Sequence, residues 1–342
     1  MGETGAIGTI APRSDRQINA TELLGRFAPV LFLLAVIAVL SILEPGFRTE
    51  RNMWNVIRQV SFIGILAVGM TFVILTAGID LSVGSMLAFT GIVCASAAKG
   101  ARGLIAGGVR DDGGIHVLYA VLAAVGLGLL LGLIHGYLIG YLELPAFIVT
   151  LGGLGIWRGA TLVWSEGQPI SSFSDDFTYW GKGYVFDKVP VPVLFFLAFV
   201  VVAHIVLRYT KYGRWIFALG GNSEAARLSG LNVKALTMSV YVISGFCAGL
   251  AAFLLTSRLN SAEQVAGQSY ELQAIAAVVI GGTSLFGGEG GVIGTLIGAL
   301  LIGVLNNGLV IMGVDSYYQP IVIGVIIVFS VFLDQLIKRR RR

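Results

Sequence analysis

Charge is scarce in this chain. Only 12% of its 342 residues are Asp, Glu, Lys or Arg, while 56% are hydrophobic and the mean hydropathy is +0.85. That balance excludes a soluble domain and reads as a polytopic membrane protein, with room for at most roughly a dozen spans of about 20 residues each. The net charge of +4 is no nucleic-acid signal, because the cations gather where membrane topology uses them. Cysteine is nearly missing: Cys94 and Cys247 both lie in apolar runs, so they read as small packing residues and no disulfide framework is expected. The three histidines, His116, His135 and His204, share no metal-ligand spacing with carboxylates or cysteines, and no metal site is expected. No G-x-x-x-x-G-K-[ST] run occurs, so ATP is not held by a phosphate loop, and no cofactor is expected. No nucleophile–base pair stands out, which leaves no catalytic site to name, although residues far apart in the chain can converge in space. The first 25 residues lack an apolar core and read as a disordered cytoplasmic tail rather than a signal peptide.

What is abundant is apolar sequence, and it falls into ten runs. The spans lie at about 26–43, 54–77, 83–98, 115–141, 145–164, 191–208, 235–256, 271–286, 291–312 and 317–337, the third and eighth short enough to be broken or partly re-entrant. With both termini on the cytoplasmic side, Arg13, Arg16, Arg26, the basic segment 209–234 and the terminal run Lys338–Arg342 share one face. The bias is modest, but the two densest clusters agree. The terminal run is most simply an anchor at the anionic lipid surface. Glycine is plentiful, and Gly128, Gly132, Gly136 and Gly140 recur every four residues, as do Gly290, Gly294 and Gly298. Such stripes let transmembrane backbones approach closely. Arg158 and Glu143 sit near span ends, where snorkelling or pairing suffices.

Two irregular stretches interrupt the apolar pattern. The first is Gly78-Ile79-Asp80-Leu81-Ser82-Val83-Gly84-Ser85. Asp80 is either an intramembrane functional acid or the N-cap of the next span, with Ser82 as a rival cap. The second runs from Gly281 to Gly291 and includes Thr283 and Ser284. It is either a sharp turn between short helices or a broken helix exposing backbone to a transport path, since irregular backbone at membrane depth must be buried or face water. Asn306 and Asn307 in mid-span either bond neighbouring helices or line such a path. The external segment 165–190, polar and aromatic, is a partner-binding surface or an interfacial belt.

The longest polar island is Arg208–Lys234, RYTKYGRWIFALGGNSEAARLSGLNVK. Its second half predicts a short helix with Asn222 or Ser223 as N-cap, Glu224 in the first turn and Gly230 where the helix stops. Between spans, such a helix is a docking surface for a soluble partner or a connector held at the anionic leaflet.

Here the chain resembles a known family. Glu224-Ala225-Ala226 followed by Gly230 looks like the E-A-A-x-x-x-G core by which ABC importer permeases engage their ATPase. The run ALGGNSEAARLSGLNV, which includes Leu228, is similar to the ribose-type sugar permeases. GIDLSVGS at 78–85 and ELQAIAAVVIGGTSL at 271–285 match the same family, and Asn306-Asn307-Gly308 and Tyr317-Tyr318-Gln319 continue the match. The Ile-x-Leu-Pro ending of other importer families is missing. The likeness extends from about residue 54 to 337 and implies the inner-membrane permease of a bacterial ABC importer of the ribose/xylose/inositol type.

The resemblance implies an all-α integral membrane protein of about ten transmembrane helices in two inverted halves, similar to type II importers. It implies a membrane domain over 26–337 between the tails 1–25 and 338–342. It further implies a homodimer in the lipid bilayer, a cytoplasmic ATPase docked on the 209–234 loop through Asn222, Glu224, Ala225, Ala226, Leu228 and Gly230, and a periplasmic sugar-binding protein on the external loops 165–190 and 257–270. The path candidates are Asp80, Ser82, Ser85, Thr283, Ser284, Asn306 and Asn307. No covalent chemistry is implied. The rival reading is a proton-coupled secondary carrier for a small polar solute with Asp80 or Glu143 as relay. An integral membrane enzyme would need convergent His, Asp or Ser groups that the sequence does not display.

Overall fold

The computed structural model describes residues 20–100 and 115–318, together with isolated positions between Pro320 and Phe332. Twelve α-helices run through the described residues: α1 Ala20–Leu43, α2 Glu50–Leu75, α3 Val83–Lys99, α4 Ile115–Gly140, α5 Ala146–Ser165, α6 Asp175–Lys182, α7 Val191–Tyr209, α8 Lys211–Gly221, α9 Ser223–Leu228, α10 Val233–Leu259, α11 Tyr270–Ile280 and α12 Val292–Ile311. Six of them (α2, α4, α5, α7, α10 and α12) are long and apolar enough to cross a membrane, and α1, α3 and α11 contribute shorter apolar helices. Strand is confined to two-residue pairs: β1 (Ile170–Ser171) with β4 (Ser261–Ala262), and β2 (Tyr184–Val185) with β3 (Val189–Pro190), both antiparallel.

The first nine of the ten expected runs each carry a helix, six of them long and apolar enough to cross a membrane, with local differences. α1 begins at Ala20, ahead of the expected start at 26, so the expected tail overlaps it, and residues 1–19 lie outside the described residues. The eighth run does not stay helical to 286: α11 stops at Ile280, where Gly281 and Gly282 turn the chain. The tenth run opens in a 3-10 turn over Ser316–Tyr318, and most of it, with the basic run 338–342, lies outside the described residues. Segment 165–190 carries a short helix of its own: Asp175 and Asp176 open α6, where acids favour the helix dipole.

α2 lies at the centre. It starts at Thr49, whose hydroxyl accepts from the Asn52 N–H, and its inner half is almost wholly buried. It packs against α7, α10, α11 and α12, while α10 also packs against α3, α4 and α6. In a bilayer the lipid tails are as apolar as leucine, so close packing rather than water exclusion holds such helices together. The glycine stripe shows how close. A Cβ on Gly132 would run into the Tyr241 carbonyl of α10, and one on Gly245 into the Gly128 carbonyl of α4. The shorter stripe seats α12 on α11 in the same manner, through Gly294 against Gly281 and Gly298 against Ala277. Large apolar side chains instead point outward from the remaining faces, Leu118, Leu122 and Leu130 of α4 and Val201 and Val202 of α7 among them.

Candidate coupling face and translocation path

Thr210 opens α8, its hydroxyl accepting from the Gly213 N–H and donating to the Val206 carbonyl. The expected choice of cap for the second short helix resolves to Asn222, whose Oδ1 accepts from the Ala225 N–H at 2.9 Å. Gly230 stops α9 with φ of +84°, a left-handed conformation that glycine adopts without strain. Asn232 then caps α10. Of the six residues of α9 only Ala226 is buried; Ala225 is exposed and Leu228 is 74% exposed. Glu224 forms a two-pronged pair with Arg227, at 3.0 and 2.5 Å, on the exposed surface. The Arg227 guanidinium holds the Glu224 carboxyl below the usual carboxylate range, chiefly by that hydrogen bonding. The result is a small, firmly capped helix that offers an apolar side chain and a charge pair to its surroundings.

The seat of this helix pair is informative. A Cβ on Gly220, at the end of α8, would run into the Leu75 carbonyl at the end of α2. That same carbonyl accepts the Gly288 N–H at 3.0 Å, and Gly287 and Gly288 lie directly against Gly220 and Gly221. So the end of α8, just ahead of α9, rests at once on the end of α2 and on the second irregular stretch. A cavity of about 490 Å³ adjoins this junction, lined by His204, Arg208, Phe217, Gly281 and the residues from Gly290 to Gly294.

In the first stretch the chain leaves α2 through Ala77 at φ of +60° and delivers Asp80, buried, into the bundle. Asp80 Oδ1 accepts from the Ser82 N–H at 3.0 Å and the Ser82 hydroxyl at 2.5 Å, and Oδ2 accepts from the Ser244 hydroxyl of α10 at 2.7 Å. Both oxygens are placed to accept hydrogen bonds. Ser82 occupies the N-cap position of α3 without a side-chain capping bond, while Asp80 closes an Asx-type turn ahead of it. Ser85 donates to the Ser82 carbonyl at 2.9 Å.

The network extends further. The Trp157 indole N–H of α5 donates to His135 Nε2 of α4 at 3.1 Å, and His135 Nδ1 lies 3.2 Å from the Ser82 hydroxyl. An indole nitrogen only donates, so Nε2 is the acceptor and Nδ1 carries the proton. Trp157, His135, Ser82 and Asp80 thus form one directed chain of donors, joined from the other side by Ser244. The Ile79 carbonyl receives Thr150 of α5 at 3.3 Å and Tyr241 of α10 at 3.4 Å.

The second stretch closes on itself. Thr283 Oγ1 accepts from the Gly291 N–H, Ser284 N–H donates to the Glu289 carbonyl, and the Ser284 hydroxyl accepts from the Phe286 N–H. Gly282, Gly287, Gly288 and Gly290 all have positive φ. Thr71 of α2 and Thr295 of α12 meet at 2.7 Å just beyond it. Asn307 exchanges two hydrogen bonds of 2.9 Å with Asn52 of α2, and Asn306 donates to Gln273 of α11 at 3.3 Å while its own oxygen is buried without a partner among the described residues.

Sequence reasoning singled out Asp80 and Ser82 but missed His135, Trp157 and Ser244, whose links to them span 53 to 164 positions of chain or pass through them. Glu143, between α4 and α5, pairs at 2.8 Å with Lys234 in the first turn of α10, both exposed, and Lys234 holds its carboxyl below the usual range. Arg158 instead reaches inward from α5 to the Gln264 and Ala266 carbonyls. Among the described residues no group of three or more His, Cys, Asp or Glu is placed to hold a metal ion, and both cysteines are free and buried.

Comparison with known proteins places this geometry. Residues 52–331 match the family model described as branched-chain amino acid transport system / permease component. The chain is 45% identical to the ribose import permease protein RbsC of Escherichia coli (strain K12), over 89% of this chain and 92% of that one. It is 42% identical to the ribose import permease protein RbsC of Bacillus subtilis (strain 168), over 94% and 96%. It is also 42% identical to the D-allose transport system permease protein AlsC of Escherichia coli (strain K12), over 90% and 91%. No solved structure matches.

Proposed function

The chain belongs to the family of branched-chain amino acid transport system permease components, and from that premise we propose that it is the membrane subunit of an ATP-driven sugar importer. It moves a monosaccharide or polyol of the ribose, xylose or inositol class from periplasm to cytoplasm. The relatives named above are permeases for ribose and D-allose, which supports a sugar rather than an amino acid as cargo. The chain is a transport subunit of the inner membrane and not an enzyme; ATP is hydrolysed on a separate ATPase.

One observation carries the mechanism: the exposed helix α9 follows directly on α8, whose Gly220 is seated against the Leu75 carbonyl at the end of α2 and against Gly287 and Gly288 of the second irregular stretch. A partner that pulls on α9 therefore acts on the end of α2 and on the loop before α12 without a long lever. The ATPase dimer docks on Glu224, Ala225, Leu228 and their neighbours, and its closure drives the inward- and outward-facing states. A periplasmic binding protein delivers cargo to the external loops 165–190 and 257–270. The cargo is neutral and rich in hydroxyls, so a low-affinity path needs scattered amides and hydroxyls rather than charge. Each permease chain has about ten spans in inverted halves with both termini in the cytoplasm, and the assembly pairs it with a second permease copy in the surrounding lipid.

Co-purification after expression with the neighbouring genes tests this. A stable complex with an ATPase, whose hydrolysis rises when sugar-loaded binding protein is added, is expected. A chain that purifies alone and takes up solute in liposomes under a proton gradient would instead establish the secondary-carrier reading.

A further inference from the structure

The segment from Asn260 to Ser269, which joins α10 to α11, does not lie loose on the surface. Ser261 and Ala262 pair with Ser171 and Ile170, Asn260 Oδ1 accepts the Phe173 N–H at 2.8 Å, and Gln264 reaches Ser165 at 3.3 Å. Its middle dips onto the first turn of α3. A Cβ on Gly267 would meet the Gly84 carbonyl and the Leu87 side chain, and a Cβ on Gly84 would meet the Gly267 carbonyl and the Glu271 carboxylate. Asn260, Gly267 and Ser269 all have left-handed backbone, two of them without the freedom of glycine. Strain of this kind persists only where the surroundings hold it, and it gathers at switch segments.

What holds it is Arg158. Both hydrogen bonds of its guanidinium run from one nitrogen, Nη1, to backbone carbonyls of this segment, Gln264 O and Ala266 O, the latter at 2.9 Å. A half-buried guanidinium ordinarily takes a carboxylate. The field of Glu271 reaches this one, yet its donors go to the crossing backbone. Leu87 is buried under the segment, two turns of chain beyond the Asp80 network.

We propose that residues 260–269 form the outer strap over the irregular start of α3, and that Arg158 is the positioning residue that latches it shut. The inference rests on the importer reading for what passes beneath the strap, but not for the latch itself. Opening the strap breaks the two carbonyl bonds and frees Arg158 to turn to Glu271, so the charge is partnered in both positions.

The test uses the full chain in lipid nanodiscs with Leu87→Cys as reporter and a membrane-impermeant maleimide as probe. Both native thiols, Cys94 and Cys247, are fully buried and give little background. With Arg158 in place labelling is slow. Arg158→Gln accelerates it about tenfold or more, the factor that loss of a charge-assisted hydrogen bond corresponds to, and Arg158→Lys falls between. Equal labelling rates in the three chains overturn the latch.

A second measurement does not depend on any Arg158 variant folding. Ser171→Cys with Ser261→Cys places two thiols at directly paired positions. Oxidation is expected to stop ATP-driven sugar uptake by the assembled transporter, and a reductant to restore it. Undiminished uptake with the crosslink formed overturns the strap. Absence of ATP-driven uptake even in the reduced chain defeats the importer reading instead, while the labelling result still decides the latch.

Discussion

Replacing Ser244 by alanine removes one of the three hydrogen bonds to the buried Asp80 carboxylate and the only one that comes from α10. Between neutral groups in a membrane such interhelical bonds average about 0.6 kcal/mol and reach about 1.7. A bond to a charged group is worth about 1.5–3 kcal/mol. Ser244 is buried and Asp80 is left with only the donors of Ser82, so the expected loss is about 1.5–2 kcal/mol, near the top of the membrane range and the bottom of the charged one. Asp80→Asn keeps the shape but discharges the acceptor, which lowers the value of the Ser244 bond. A double-mutant cycle of the two, read by reversible unfolding in mixed detergent and dodecyl sulfate, is expected to show coupling of about 1 kcal/mol. A Ser244→Ala chain within about 0.5 kcal/mol of the parent, with additive effects in the cycle, would refute the claim that this carboxylate ties α10 to the α2–α3 break.

The seat of α8 gives a sharper functional phenotype. Gly220→Val forces a side chain into the Leu75 carbonyl, so the complex is expected to assemble while sugar-stimulated ATP hydrolysis falls by at least about tenfold; normal stimulation would contradict the seat. At α9, Arg227 lowers the Glu224 carboxyl, so the pair's contribution is present above the ordinary carboxylate pKa and is lost only as pH falls through the lowered value. ATPase docking is therefore expected to be flat from about pH 6 to 8, and a midpoint within that window, measured by pull-down, would count against the pair. Gly132→Leu drives a side chain into the Tyr241 carbonyl and is expected to abolish a folded, monodisperse species in size-exclusion chromatography, because neither backbone has room to retreat.

Much of this architecture is legible in the sequence, and for physical reasons. A bilayer demands long apolar runs, so α2, α4, α5, α7, α10 and α12 stand out by hydropathy alone. The stripe from Gly128 to Gly140 announces a close helix pair, though not that its partner is α10. Asn222, Glu224 and Gly230 encode α9 because capping acts over three or four residues. α8 escaped notice, since it is only 11 residues long, too short for a span, and lies in the first half of a segment read as a polar island. The Asp80 network is half legible. Asp80 and Ser82 lie two residues apart in a broken stretch, whereas His135 and Ser244 arrive from helices that look like ordinary packing. Arg158 was left between snorkelling and pairing because nothing local marks its carbonyl partners, 106 and 108 positions away.

The central claim is that α9 receives work from a separate ATPase. Its most direct test is uptake of labelled ribose into proteoliposomes holding this chain, its co-purified ATPase and the sugar-loaded binding protein. Uptake that requires ATP, ignores an imposed proton gradient and disappears when Glu224 and Gly230 are replaced together is the predicted result. Uptake that follows the proton gradient and survives both the omission of the ATPase and that double replacement would contradict it.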